Sequence, residues 1–404
     1  MNLLESIVED AEIETVLSVS KFATKRIAGC KTINLNEIDF HKKNRIKRSG
    51  SEILLDGGCF ILFTSGTTGR PNGVKITHRN FSNLLSSDAG SLGVRARETV
   101  SQLLNISFDM ASWEVFVALT RGAKLLIRGV SLEQCARKAD VIIATPGILG
   151  NFDISKFQNT RVVAVAGETC PLDLAKKWAE RATFFNACGP TEICVINSIC
   201  EIKKNDEEVS VGKPLANTSV YILDQELQPC KLGQVGEIWV GGIGVSEGYL
   251  NRETLNKERF KADPFRGHGK MFRTRDLGRW NSRGKLIHLG RTDDQVKIKG
   301  FRVELEAIST VLEKEPSCQA SVSIKLDSHN LVSFVKPISA KTQKMVERVK
   351  EELPYFYEPT QIIALNTFPL TDRGKVDRKQ LALIAANELN SQRKKQKKGI
   401  DSHA

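Results

Sequence analysis

The sequence predicts an α/β fold: a large N-terminal domain with helix-covered, mostly parallel sheets plus a small β-barrel-like part, and a small C-terminal α+β domain. Three observations carry this reading. The runs "CFILF" (59–63), "AKLLI" (123–127), "DVIIAT" (140–145) and "RVVAVAG" (161–167) have the unbroken hydrophobicity of strands buried on both faces. Between them lie helical patterns such as "PLDLAKKWAERA" (171–182), with Pro near the start and Leu, Ala and Trp on one side. That alternation belongs to a parallel sheet covered by helices. From Val220 the texture changes to strand, turn, strand in "SVYILDQELQPCKLGQVGEIWVGG" (219–242), with glycines bounding each run, as in an antiparallel sheet or small barrel.

In chain order, the large domain spans 1–292, with 220–292 as its antiparallel β part. The small domain spans 293–388: a helix over 303–315, strands "QASVSIKL" (319–326) and "LVSFVKPI" (331–338), a helix over 344–353 and a last strand near "TQIIALN" (360–366). The polar, charged segment 389–404 is expected to be a disordered basic tail.

At 404 residues the chain is long enough for two or three domains of about 150 residues each. No run approaches the ~18 to 20 apolar residues of a membrane span. The opening "MNLLESIVEDAEIETVLSVS" carries acids too early for a signal peptide, so the expectation is a cytoplasmic protein without a membrane partner. Nine cysteines without a C-x-x-C pair, and six scattered histidines without H-E-x-x-H, point to reduced, mostly buried thiols rather than a disulfide framework or zinc site. Of the net charge of +12, "KKNRIKR" (42–48) and "RKKQKK" (393–398) supply five positive charges each. The remaining body is nearly balanced, and no aromatic platform accompanies the two runs, which argues against a nucleic-acid partner.

The stretch "FTSGTTGRPNGVKITH" (63–78) follows a predicted buried strand, so its loop is expected at the carboxyl end of a sheet, where open α/β folds bind ligands. Gly66, Gly69 and Gly73 permit φ > 0 and close backbone approach, and Thr64, Ser65, Thr67 and Thr68 add hydroxyl donors. Such a loop suits phosphate, although a plain surface turn shares its composition. The G-x-x-x-x-G-K-[ST] spacing is absent.

Six further stretches follow in one order: "SFDMASWEVF" (107–116), "NACGPTE" (186–192), "GEIWVGGIGVSEGYL" (236–250), "FRTRDLGRW" (272–280), "GRTDDQVKIKGFRVEL" (290–305) and "DRGKVDRKQL" (372–381). With the loop, this series resembles the adenylation domains of nonribosomal peptide synthetases, members of the adenylate-forming superfamily that also holds acyl-CoA synthetases and luciferases. The resemblance covers nearly the whole chain, from about residue 3 to about 385. It implies a reaction in two steps. A carboxylate attacks the α-phosphate of ATP with loss of pyrophosphate, aided by Mg²⁺, and the acyl-adenylate passes to a phosphopantetheine thiol on a carrier protein. Charge builds on phosphoryl oxygens in that transition state, so backbone donors, a cation and a metal serve it better than a nucleophilic side chain.

By the resemblance, Thr64, Ser65, Gly66, Thr67, Thr68, Gly69 and Gly73 hold the departing pyrophosphate, Thr191 touches the α-phosphate and Glu192 binds Mg²⁺. Gly167, Asn186 and Cys188 line the nucleotide site, and Asp276 and Arg291 meet the ribose. Lys375 is the mobile lysine bridging the substrate carboxylate and the phosphate oxygens, and Asp293 is the hinge that lets the small domain swing. Asp109 pairs with the substrate's α-amino group. The side-chain pocket would be lined by Met110, Trp113, Ile143, Ala164, Ala166, Ala187, Val195 and Ile196, although Val195 and Ile196 also read as ordinary core. An apolar pocket with one acid implies a neutral, hydrophobic amino acid.

The chain departs from the family's pattern at four places. Asn72 stands where the loop usually has lysine, Cys188 where an aromatic stacks on adenine, and Arg275 where a glycine precedes the ribose acid. The sequence also begins after the family's first two motifs, which implies an absent N-terminal portion, exposed core surface and lowered or no turnover by this chain alone. An acyl-CoA ligase for a non-amino carboxylate and a degenerate adenylation fold kept for binding are the alternatives.

Overall fold

The structure, a computed structural model, describes residues 3–23, 27, 29–40, 52, 54–65, 70–293, 295–298, 301–327, 329–370 and 376–401, with side chains up to 389. The chain divides into two compact units. One comprises Leu4–Thr64 and Asn72–Asp293, the other Asp294–Ala404 with Met1–Leu3 and Ser65–Pro71.

In the larger unit β1 (Thr15–Ser18) and β2 (Lys31–Asn34) pair in parallel, and β3 (Gly58–Thr64) and β4 (Asn72–Thr77) form an antiparallel two-stranded sheet. Next come β5 (Thr99–Gln102), β6 (Lys124–Ile127), β7 (Val141–Ala144), β8 (Val162–Val165), β9 (Thr183–Cys188), β10 (Ser198–Ile202) and β11 (Lys213–Pro214). They build a seven-stranded sheet in the order β11-β10-β9-β8-β7-β5-β6, parallel from β6 to β9 and antiparallel beyond. All residues of β7 and β8 are buried, and the pleat sends alternate ones to opposite faces. Ile143, Val162 and Ala164 join the cluster around Trp113, whereas Ile142, Val163 and Val165 join the cluster around Trp178. The predicted parallel sheet with cores on both faces is therefore present.

The run 59–63 departs from expectation. It forms β3 of the separate hairpin, so the glycine-threonine loop joins two antiparallel strands and does not leave the carboxyl end of the parallel sheet. Gly58 and Ile61 of β3 are exposed and the rest half-buried. A continuous apolar run does not reveal which sheet it joins.

The antiparallel part is a five-stranded sheet of β12 (Thr218–Leu223), β13 (Gly236–Gly242), β14 (Phe260–Ala262), β15 (Lys270–Trp280) and β16 (Leu286–Arg291). In the smaller unit, β17 (Gln295–Ile298) and β18 (Phe301–Glu304) form a hairpin, and β19 (Ala320–Lys325), β20 (Leu331–Lys336) and β21 (Gln361–Ala364) a sheet. The helices Leu305–Glu313 and Thr342–Glu352 share a core with Leu331 and Val335 of β20. Instead of a disordered tail, the last helix runs from Arg378 to Asp401. Ala, Leu, Gln, Lys and Arg are strong helix formers, and neither Pro nor Gly interrupts them before Gly399. No helix of the described residues is long and apolar enough to cross a membrane.

Strand order positions the site. From β5 the chain crosses to β6 on one side, and β7 then lies on the other side of β5. This reversal opens a crevice outside the carboxyl ends of the strands. The loop leaving β5 is fixed by Glu114, a fully buried residue of the helix Asp109–Thr120, which accepts hydrogen bonds from Leu103 N (2.7 Å) and Leu104 N (3.1 Å). Burial pushes the Glu114 carboxyl up to about 8, against the opposing pull of those two N–H groups and Arg128.

Between the ordinary value of 4.5 and about 8, the unfolded chain has lost this proton while the native chain keeps it. Stability must therefore fall as pH rises through that window. Urea unfolding at several pH values should show this slope in the wild type and a flatter one in Glu114→Gln; parallel profiles would contradict the assignment.

Candidate active site

Four parallel strands deliver the predicted residues to one edge of the sheet. Asp109 opens the helix that follows β5, Thr145 follows β7, Ala166 and Gly167 follow β8, and Cys188 ends β9. Register brings Ile143 beside Ala164, and Val165 beside Asn186. The eight apolar positions Met110, Trp113, Ile143, Ala164, Ala166, Ala187, Val195 and Ile196 all fall in one buried cluster. Trp113 is locked there by its indole N–H, which donates to Gly90 O at 2.7 Å. Gly167 has φ +88°, and a Cβ added there would lie 3.3 Å from Met110 Sδ. It answers both to a left-handed backbone and to close packing.

The turn after β9 brings the polar groups together. A Cβ on Gly189 would come within 2.5 Å of Ile196 Cα, while Cys194 and Val195 hold left-handed φ of +58° and +73°. Such a conformation is rare for a β-branched residue, and its strain must be held by the surrounding packing. In this turn Thr191 Oγ1 donates to Asp109 Oδ2 at 2.8 Å, and Asp109 Oδ1 accepts from Met110 N at 2.7 Å. Glu192 is fully buried, and its Oε1 accepts from the Tyr249 hydroxyl at 2.5 Å. Asn186 donates to Ser210 O at 3.0 Å, which ties β9 to the strand-β11 approach. Burial, then the nearby Asp109 charge, raises the Cys194 thiol well above its ordinary range. A neutral thiol of this kind is a poor nucleophile. All nine cysteines are free; five are buried and Cys30, Cys59, Cys188 and Cys230 are half-buried.

A second polar group forms where β15 meets β16. Asp276 and Arg291 are register partners, Arg291 Nη1 donates to Asp276 Oδ1 at 2.8 Å, and His288 Nε2 lies 3.3 Å from the same oxygen. Arg291 also forks onto Asp293 at 2.7 and 3.0 Å. Arg275 has φ +63° and reaches both Glu258 and, at 3.6 Å, Asp293.

Of the expected loop residues, Thr64 Oγ1 donates to Asn72 O at 3.3 Å across the hairpin. Gly73 has no room for a side chain, since a Cβ would sit 3.0 Å from the Phe63 ring. Ser65 lies at the described edge of the loop, whereas Gly66, Thr67, Thr68, Gly69 and Lys375 lie outside the described residues. Sequence reasoning left Tyr249, Glu114 and His288 without a role. Tyr249 was visible inside the "GEIWVGGIGVSEGYL" motif, but only the fold brings it to Glu192. Mg²⁺ binds through one or two carboxylates together with substrate phosphate oxygens and water. The hard oxygens of Glu192, adjacent in sequence to Thr191, fit that requirement.

Comparison with known proteins agrees with this arrangement. The chain is 38% identical over 400 residues to adenylate-forming reductase 06235 of Coprinopsis cinerea, an alignment covering 97% of this chain and 39% of that protein. It is 34% identical to bacitracin synthase 3 of Bacillus licheniformis, over 94% of this chain and 6% of that one. The chain thus spans well under half of these relatives. Among solved structures, the Vibrio cholerae adenylation domain AlmE, in complex with glycyl-adenosine-5'-phosphate, superposes with a TM-score of 0.79 at 20% identity, covering 95% of this chain and 77% of that one. The artificially fused adenylation-PCP di-domain NpsA-ThdA from Klebsiella oxytoca gives 0.78 at 23%, covering 89% and 76%. These two likenesses establish the fold. The AMP-binding enzyme family matches residues 3–250, and with more than half of the sequence aligned to it, this chain belongs to that family.

Proposed function

We propose that this chain activates a neutral, hydrophobic amino acid as its aminoacyl-adenylate and hands the acyl group to a phosphopantetheine thiol on a carrier protein. The carrying observation is the 2.8 Å hydrogen bond from Thr191 to Asp109. The amine and carboxyl carbon of an α-amino acid share one carbon, so an acid that receives the amine must lie beside the residue that meets the α-phosphate. Asp109 and Thr191 satisfy that constraint.

In the first step a carboxylate oxygen bonds to the α-phosphorus, and the bond to the bridging oxygen breaks with its electron pair leaving on pyrophosphate. Asp109 orients the amine, Thr191 donates to the α-phosphate, and Asp276 accepts from the ribose with Arg291 at its side. Mg²⁺, held by Glu192, would neutralise charge on the phosphate oxygens. The apolar cluster that includes Ala164, Ala166 and Ala187 leaves a neutral side chain as the substrate it suits, with discrimination of only ~1 to 3 kcal/mol per methylene.

The identity to adenylate-forming reductases, higher than to the peptide synthetases, supports a second reading, in which adenylate formation serves a reduction instead of carrier loading. An acyl-CoA ligase is the remaining alternative.

Exchange of labelled pyrophosphate into ATP, screened across amino acids and carboxylic acids, should respond to small apolar amino acids. Silence with every acid would remove the adenylation reading. Lys375→Ala should lower the exchange rate by ~10²- to 10³-fold, as loss of one positioned transition-state donor does. Asp109→Ala separates the substrate classes: activity on amino acids should vanish, and unchanged activity there would assign the site to a carboxylate lacking an amine.

A further inference from the structure

Glu192 and Tyr249 form a buried pair that the expected motif roles do not explain. Glu192 is 0% exposed and Tyr249 5%, and their side chains meet at 2.5 Å. A phenol orients one carboxylate oxygen without cancelling its charge, as an ammonium or guanidinium would. The segment carrying Tyr249 is strapped on several sides. Ser246 N donates to Glu192 O at 2.9 Å, Leu250 N donates to Gly73 O at 2.8 Å, and Val74 forms a β-bridge with Tyr249. Asn256 closes the strap by accepting from Tyr249 N and donating to Tyr249 O, each at 2.8 Å. The Tyr249 ring packs edge-on against Phe260, centroids 5.6 Å apart. Upstream, Asn80 donates to Ile243 O and Val245 O at 2.6 and 3.1 Å.

We infer that Tyr249 is a positioning residue that sets the Glu192 carboxylate for Mg²⁺, and that residues 246–250 tie this pair to β4. This inference rests on the adenylation reading. A buried carboxylate left to choose its rotamer would pay ordering entropy when metal and nucleotide arrive; the Tyr249 hydroxyl fixes one oxygen beforehand. Glycine at 73, which admits no Cβ, lets the strap approach the strand that closes the loop.

Mn²⁺ supplies the probe. With α,β-methylene-ATP present, loss of the free Mn²⁺ electron-paramagnetic-resonance signal reports metal binding without turnover. Tyr249→Phe should weaken Mn²⁺ binding roughly tenfold, the scale of one hydrogen bond to a charged group. In a Glu192→Gln background the same substitution should have no further effect, because Tyr249 acts through Glu192. Wild-type affinity in Tyr249→Phe, or an equal loss in both backgrounds, overturns the inference while leaving adenylation intact. A wild-type chain that binds no Mn²⁺ with the nucleotide analogue removes the adenylation reading and this inference together. Should Tyr249→Phe fail to fold, 3-fluorotyrosine at position 249 keeps the hydroxyl. Its ¹⁹F resonance should move on adding Mn²⁺ with the analogue and stay fixed in Glu192→Gln; a resonance that stays fixed in the wild type counts against the role.

Discussion

Parallel pairing is the constraint on which the rest of this molecule depends. Strands β5 to β9 share one direction, so each crossover must return to the same end and every carboxyl terminus opens on one edge. Asp109 and Thr191, 82 residues apart in sequence, meet at 2.8 Å for this reason. The all-buried residues of β7 and β8 hold the edge in place, each large aliphatic side chain contributing about 1.5 to 3 kcal/mol on burial. Polar groups gather beyond the strand ends because the strands themselves offer neither water nor partners to them.

The acids near that edge differ in character because their neighbours differ. Glu114 meets backbone N–H groups inside the core and holds its proton to about 8, which suits a structural clamp on the loop leaving β5. Asp276 instead sits among Arg291 and His288, at the seam of two antiparallel strands. Glu192 lies in between: buried like Glu114, but met by a side-chain hydroxyl from a distant strap. One residue type thus serves as a protonated clamp, a member of a charged cluster and a metal-ready ligand, according to burial and partner.

Much of this was legible in the sequence because it is periodic or local. The runs 123–127, 140–145 and 161–167 became β6, β7 and β8, since a chain buried on both faces must be continuously apolar. The run 59–63 misled because the same apolarity serves a half-exposed hairpin strand, and what decides between them is the neighbouring strand. The pairing of Tyr249 with Glu192 was out of reach for a related reason: two motifs 57 residues apart carry no mark of which atoms will touch. The helix to Asp401 shows the converse, where charge suggested disorder but propensity favoured helix.

Arg275 shows how a departure from a family pattern is accommodated. Where the resembled family has glycine, the backbone here adopts φ +63°, so the position demands a left-handed conformation whatever residue occupies it. An arginine in that conformation costs about 1 to 2 kcal/mol that glycine would not. Its guanidinium meets Glu258 and Asp293, and its carbonyl accepts from Thr292 N at 2.9 Å. Partly exposed pairs contribute about 0 to 1 kcal/mol each, so the contacts and the strain roughly cancel. The consequence is positional. With Arg275 sharing Asp293, Arg291 stays forked on that acid and keeps its remaining nitrogen on Asp276. The substitution that breaks the motif therefore supports the acid that the motif exists to present.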